Sequence, residues 1–214
     1  MNAYASRTGT ITTLRALRRA KWRLLVSATG EHRDEGFRIC VDNGEWTRYQ
    51  RELKTGIPQD FDEVRFNQVV NKFGATADFT VAPDRVGAGR RSLELSLEWL
   101  PDLLTRCRRV LIAVQEGIEP HDISDLLSYR VGIFVGGKDA AWKEATMSTW
   151  GALARSRGAY CHVGRVNTAR RIALCGAARV DSFDGTSVTR FPSTLPELEA
   201  ARARYSFKPQ TNLF

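Results

Sequence analysis

The sequence predicts an α/β protein, a small (β/α)8 barrel of the TIM type with room for trimmed helices. Three observations predict it. Short apolar runs rich in β-branched residues recur at regular spacing, stretches of helical period lie between many of them, and a polar residue or glycine follows nearly every run. Short continuous runs suit strands buried on both faces, and strands alternating with helices make βα units around a parallel sheet.

Seven runs read as strands: Arg23–Ala28, Phe37–Val41, Asp78–Ala82, Val110–Val114, Val131–Val135, Ala159–Val163 and Arg179–Phe183. An eighth is expected in Thr186–Phe191 or near a terminus. Helices are expected over Gln59–Lys72, Ser92–Arg108, Ala140–Arg157 and Asn167–Cys175. The second carries Leu93, Leu97, Leu100 and Leu104 at steps of four, three and four, with Ser92 as its N-cap. Gly158 follows the third helix, and Asn167 and Gly176 bracket the fourth. A doubly wound open sheet is the alternative, weakened because no GxGxxG follows the first expected strand. Residues 1–200 are expected to form a single barrel domain and 201–214 a basic tail.

Composition narrows the function classes. At 214 residues, 43% hydrophobic and 26% charged, the chain can bury a core of its own, which excludes wholesale disorder. No run approaches the ~20 apolar residues of a membrane span, and no signal peptide opens the chain, so a soluble, cytoplasmic protein is expected. Cys40, Cys107, Cys161 and Cys175 form no CxxC pair, and His32, His121 and His162 form no HxxxH motif. Buried thiols are therefore expected, with neither a metal nor a cofactor. The net charge of +8 favours a polyanionic partner.

In a parallel barrel the carboxyl ends of all strands share one face, where active sites sit. The runs end in Asp42-Asn43-Gly44-Glu45-Trp46, Pro83-Asp84-Arg85, Gln115, Gly136-Gly137, Gly164-Arg165 and Asp184-Gly185-Thr186. Asp and Gly after a strand are also ordinary turn residues. Their repetition at successive strand ends nevertheless predicts a face carrying Asp42, Asp84 and Asp184. Such carboxylates suit chemistry at an anomeric carbon, one attacking and another handling a proton. Gln115 and the Gly136–Gly137 backbone could read a nucleobase edge, Trp46 could stack on it, and Arg165 could seat a phosphate. Together these point to glycosyl transfer on a nucleotide. His162 alternates with Cys161 along its strand and reads as a core histidine.

At these residues the chain resembles the guanine transglycosylases, which exchange guanine for a 7-deazaguanine base. Asp42-Asn43-Gly44-Glu45-Trp46 is similar to the family's DSGGFQ-like motif, and Val114-Gln115-Glu116-Gly117 to VQGG. Phe134-Val135-Gly136-Gly137 stands at the place of a GG-containing strand end. His162-Val163-Gly164, then a helix, then Asp181-Ser182-Phe183-Asp184 and Thr189-Arg190 follow in the family's order. The resemblance covers roughly residues 37–191 and rests on order and spacing. It implies Asp184 as nucleophile, Asp42 as general acid/base, Asp84 as base-reading carboxylate, Gln115 and Gly137 as contacts to the heterocycle, and Trp46 as its stacking partner.

The tRNA-acting members carry a zinc site of three cysteines and a histidine after the nucleophile motif, and no Cys or His follows Asp184 here. The chain is expected to lack that subdomain and to resemble the DNA-modifying branch found in phages and bacterial defence clusters. DNA is the expected substrate and tRNA the alternative, with a 7-deazaguanine such as 7-cyano-7-deazaguanine as the incoming base. Arg85, Arg90, Arg91, Arg165 and Arg190 are the expected backbone contacts. A homodimer or a partner protein is compatible with this reading. The rivals are a nucleotide N-glycosidase using water and a non-catalytic nucleic-acid-binding barrel.

Overall fold

A computed structural model of the protein describes residues 1–206. Eight parallel strands close into one barrel in chain order: β1 (Asn2–Ser6), β2 (Arg23–Ser27), β3 (Ile39–Asp42), β4 (Thr80–Val81), β5 (Val110–Val114), β6 (Val131–Val135), β7 (Cys161–Val163) and β8 (Ser182–Gly185). The helices are α1 (Ile11–Arg19), α2 (Glu45–Thr55), α3 (Glu63–Phe73), α4 (Arg90–Arg106), α5 (Pro120–Ile123), α6 (Ala140–Ser156), α7 (Ala169–Ala177), α8 (Ser187–Arg190) and α9 (Leu195–Tyr205). The protein is thus a TIM-type (β/α)8 barrel, and the open-sheet alternative is excluded by the pairing of β1 with β8, Tyr4 opposite Asp184.

The expected strands β5 and β6 stand at their expected bounds, while the others shift by one to three residues. The eighth strand is β1, at the N-terminal end. Thr186–Phe191 instead holds α8, because the Asn167 side-chain oxygen accepts the Thr186 and Ser187 N–H groups at 2.8 and 3.0 Å and turns the chain. Helix α4 begins two residues before Ser92, whose buried hydroxyl accepts the Arg85 N–H at 2.9 Å instead of capping the helix. Helix α7 is capped by Thr168, and Gly176 lies inside it.

The expected domain end at 200 falls within α9. That helix is fastened to the body by Trp22 Nε1 donating to Glu199 at 2.6 Å and by Arg202 donating to the Ala20 carbonyl at 2.9 Å. Gly176 allows its close approach, since a Cβ there would lie 2.2 Å from the Tyr205 carbonyl oxygen. The rest of the expected tail, 207–214, lies outside the described residues.

Two apolar layers hold the fold. Between strands and helices, Leu17, Trp22, Phe66, Leu103, Ile112 and Ile133 are buried in one continuous cluster. Inside the barrel, Tyr4, Leu25, Cys40, Phe79, Val81 and Leu111 form a second, with Phe134 and Tyr160 against it. All four cysteines are buried thiols. Among the described residues no helix is long and apolar enough to cross a membrane.

Candidate active site

Strand parity brings Ser27, Asp42, Gly136 and Asp184 to the C-terminal mouth of the barrel, around a cavity of about 150 Å³. Leu25, Val81 and Phe134 from the barrel interior give it an apolar wall. Asp42, Asp84, Trp46, Gly136, Gly137, Arg165 and Asp184 all line it, so seven of the residues singled out in the sequence share one space. A neighbouring cavity of about 220 Å³ shares Asn43 and Thr47 with it and surrounds the buried Arg48–Glu45 ion pair.

Asp42 is the last residue of β3. Its Oδ2 accepts the Gly44 N–H at 3.0 Å, in a turn that needs glycine: Gly44 has φ +86°, and a Cβ there would lie 2.7 Å from Thr29 Cγ2. Burial pushes the Asp42 carboxyl up to about 6, and the like charge of Asp184 adds to the rise, against the opposing bonds from Gly44 and Ser27. Asp84 follows β4. Asn43 Nδ2 donates to it at 2.7 Å and to the Ala82 carbonyl at 2.7 Å, tying the ends of β3 and β4 together. Burial pushes Asp84 up to about 7, with Glu45 and Asp42 adding repulsion and the Asn43 bond opposing. Both carboxyls can therefore change protonation near neutral pH, the condition for general acid–base work.

Asp184 lies in β8 and is 6% exposed. Its Oδ2 is 2.9 Å from His162 Nε2, and its Oδ1 accepts the Arg165 N–H at 3.2 Å. The sequence reads His162 as a core residue, and it lies in the core. The parity of β7 gives its inward direction but not its partner, which comes from the next strand. Lys143 on α6 is likewise buried, donates to the Gly164 carbonyl at 2.7 Å and is pushed down to about 7 by burial. Nothing in its helical context singles it out.

Two expected contacts are arranged differently. Gln115 is buried, with its amide accepting the Gly87 N–H at 2.6 Å and donating to the Arg85 carbonyl at 2.9 Å. It braces the loop between β4 and α4 and does not line the cavity. Arg165 turns inward, its guanidinium 3.6 Å from the Trp46 ring centroid and hydrogen-bonded to the Gly137 carbonyl. It therefore covers one face of the expected stacking residue instead of standing out as a phosphate seat. Arg85, Arg90, Arg91 and Arg190 are exposed on elements that follow β4 and β8, the same mouth as the cavity. Arg90 is paired there with Asp122 at 2.6 Å. Among the described residues no group of three or more His, Cys, Asp and Glu side chains is placed to hold a metal ion.

Compared with known proteins, the chain matches no family model and no curated protein.

Proposed function

We propose that the protein is a DNA guanine transglycosylase that exchanges guanine for a 7-deazaguanine base. One observation carries the reading: three carboxylates from three strand ends, an aromatic ring and the bare Gly136–Gly137 backbone line a single cavity at the C-terminal mouth.

In this reading Asp184 attacks C1′ of the target deoxyguanosine. The C1′–N9 bond breaks, its electron pair leaves with guanine, and protonated Asp42 supplies a proton to the departing purine. The sugar is held as an ester of Asp184. Asp42, now a carboxylate, takes the proton from the ring nitrogen of the incoming deazapurine. That nitrogen attacks C1′, the ester bond breaks, and Asp184 is restored. Asp84 accepts from the N–H groups on the purine's guanine-like edge. A base stacking on the face of Trp46 now covered by Arg165 displaces the guanidinium and frees it for a phosphate of the same strand.

A duplex nucleotide must leave the stack to reach this cavity, at a cost of a few kcal/mol. Arg85, Arg91 and Arg190 on the rim are the backbone contacts that offset it.

The test is base exchange on DNA carrying labelled guanine, with tRNA in parallel, with and without 7-cyano-7-deazaguanine. Release from DNA only when the deazapurine is present, lost in Asp184→Ala and in Asp42→Ala, is the expected result. Release without the deazapurine would make the protein an N-glycosidase. Exchange on tRNA alone would overturn the choice of DNA. DNA binding with no release from either nucleic acid would favour a non-catalytic barrel.

A further inference from the structure

We infer that His162 is a positioning residue for Asp184, an N–H donor that fixes the plane of the attacking carboxylate. The inference rests on the base-exchange reading above and assigns a role that the sequence did not suggest.

The imidazole has no exposed surface and is held on several sides by other rings. Phe134 stacks on it at 5.2 Å between centroids, Phe79 lies at 4.9 Å and Tyr4 meets it edge-on at 5.8 Å. Such a ring cannot follow its partners, so its partners are set by it. Its Nδ1 is 2.7 Å from the Ser182 hydroxyl and its Nε2 is 2.9 Å from Asp184 Oδ2. An ionised carboxylate only accepts, so Nε2 carries a hydrogen. The Ser182 hydroxyl meets Nδ1 as donor or acceptor, so both ring nitrogens are satisfied.

The second oxygen of Asp184 is fixed independently. It accepts the N–H of Arg165, a residue in the left-handed conformation at φ +59°. The carbonyl just before that N–H, on Gly164, is held by buried Lys143. One bond to each oxygen, both from rigid donors, defines the carboxylate plane and leaves each oxygen a lone pair. Attack on C1′ needs this orientation, since preorganised geometry supplies much of the rate of such steps. When the ester later breaks, the same His162 N–H meets the charge returning to the carboxylate.

His162→Phe keeps a ring between Phe134 and Phe79 and removes the donor, while His162→Gln restores an N–H. Exchange kinetics are measured for both, with DNA affinity by fluorescence anisotropy and melting by circular dichroism. In His162→Phe, kcat is expected to fall on the order of 10- to 100-fold, the size typical when the hydrogen-bond partner of an active group is lost. KM for the deazapurine and DNA affinity stay unchanged, and His162→Gln recovers part of kcat. Should His162→Phe fail to fold, 15N spectra of histidine-labelled protein give the answer without it. The His162 signals of the wild type should report a hydrogen on Nε2 and should shift in Asp184→Ala. Wild-type kcat in a folded His162→Phe, or His162 signals indifferent to Asp184→Ala, overturns this inference and leaves base exchange standing. Absence of exchange by the wild type overturns the functional reading, and this role falls with it.

Discussion

At the N-terminal mouth of the barrel, Asp78 accepts from the Tyr4 hydroxyl and the Arg23 guanidinium, each at 2.8 Å, and from Arg38 as well. At the C-terminal mouth, Asp42 and Asp84 are bonded to backbone, hydroxyl and amide groups, and among the described residues neither has an ion pair. The two ends use the same side chain for opposite purposes. Two guanidiniums and a phenol compensate the charge of Asp78 and plug the barrel. The other carboxyls are left near protonation and open to a cavity. A buried carboxylate is thus best read by what neutralises it: full pairing marks architecture, and its absence marks a place where a ligand or a proton is expected.

The sharpest way to break this comparison is Asp78→Ala. Leaving Arg23 and Tyr4 without their acceptor should cost ~3–5 kcal/mol in urea denaturation, while the folded fraction keeps the proposed base exchange. A stable variant that had lost exchange would place function at the wrong mouth.

A smaller effect should come from Asp84→Asn. The folded wild type holds this proton up to about 7, whereas an unfolded aspartate releases it near 3.8. Between those values the folded state binds more protons, so wild-type stability falls as pH rises through the window. Asparagine carries no such cost. A window from 3.8 to about 7 corresponds to ~4 kcal/mol for a fully shielded group. Solvent reaches the half-buried Asp84 and screens this, so the variant should match the wild type near pH 3.5 and exceed it by on the order of 1–2 kcal/mol at pH 8, read from melting curves at both values. A difference independent of pH would mean that the carboxyl is not held protonated.

The smallest effect should lie on the rim. Arg91→Glu and Arg190→Glu, on the cavity side, should each weaken DNA binding and reduce the salt slope by about 1. Arg108→Glu, just before β5 at the other mouth, should leave the slope unchanged. Equal effects from all three would mean that DNA does not distinguish the two ends.

How much of this was legible in the sequence depended on whether local pattern or distant pairing decides each element. Val110–Val114 and Val131–Val135 are continuous apolar runs, and the structure has strands at those bounds. Asn2–Ser6 offers only Ala3, Tyr4 and Ala5, and it is a strand because β2 and β8 flank it. Helix α2 hides in the same way, since its buried residues are the Glu45–Arg48 ion pair and not an apolar stripe. At the site, the positions of Asp42, Asp84 and Asp184 in or just after the ends of strands were readable, because a parallel barrel turns strand ends into one face. The inward fold of Arg165, the loop-bracing amide of Gln115 and the hydrogen bond of His162 were not. Each depends on a partner 22 or more residues away, on another strand, loop or helix.

The pairing of Tyr4 with Asp184 also bears on how the protein is made. The strand that carries Asp184, the proposed nucleophile, is the one that meets the first strand of the chain and completes the ring. Asp42 ends β3 and Asp84 follows β4, whereas Asp184 sits on the last strand, which takes its place in the ring through its seam with β1. Long-range pairings of this kind form late, because the entropy of closing so large a loop must be met first. If the proposed base exchange is right, its three carboxylates come together only in the closed ring.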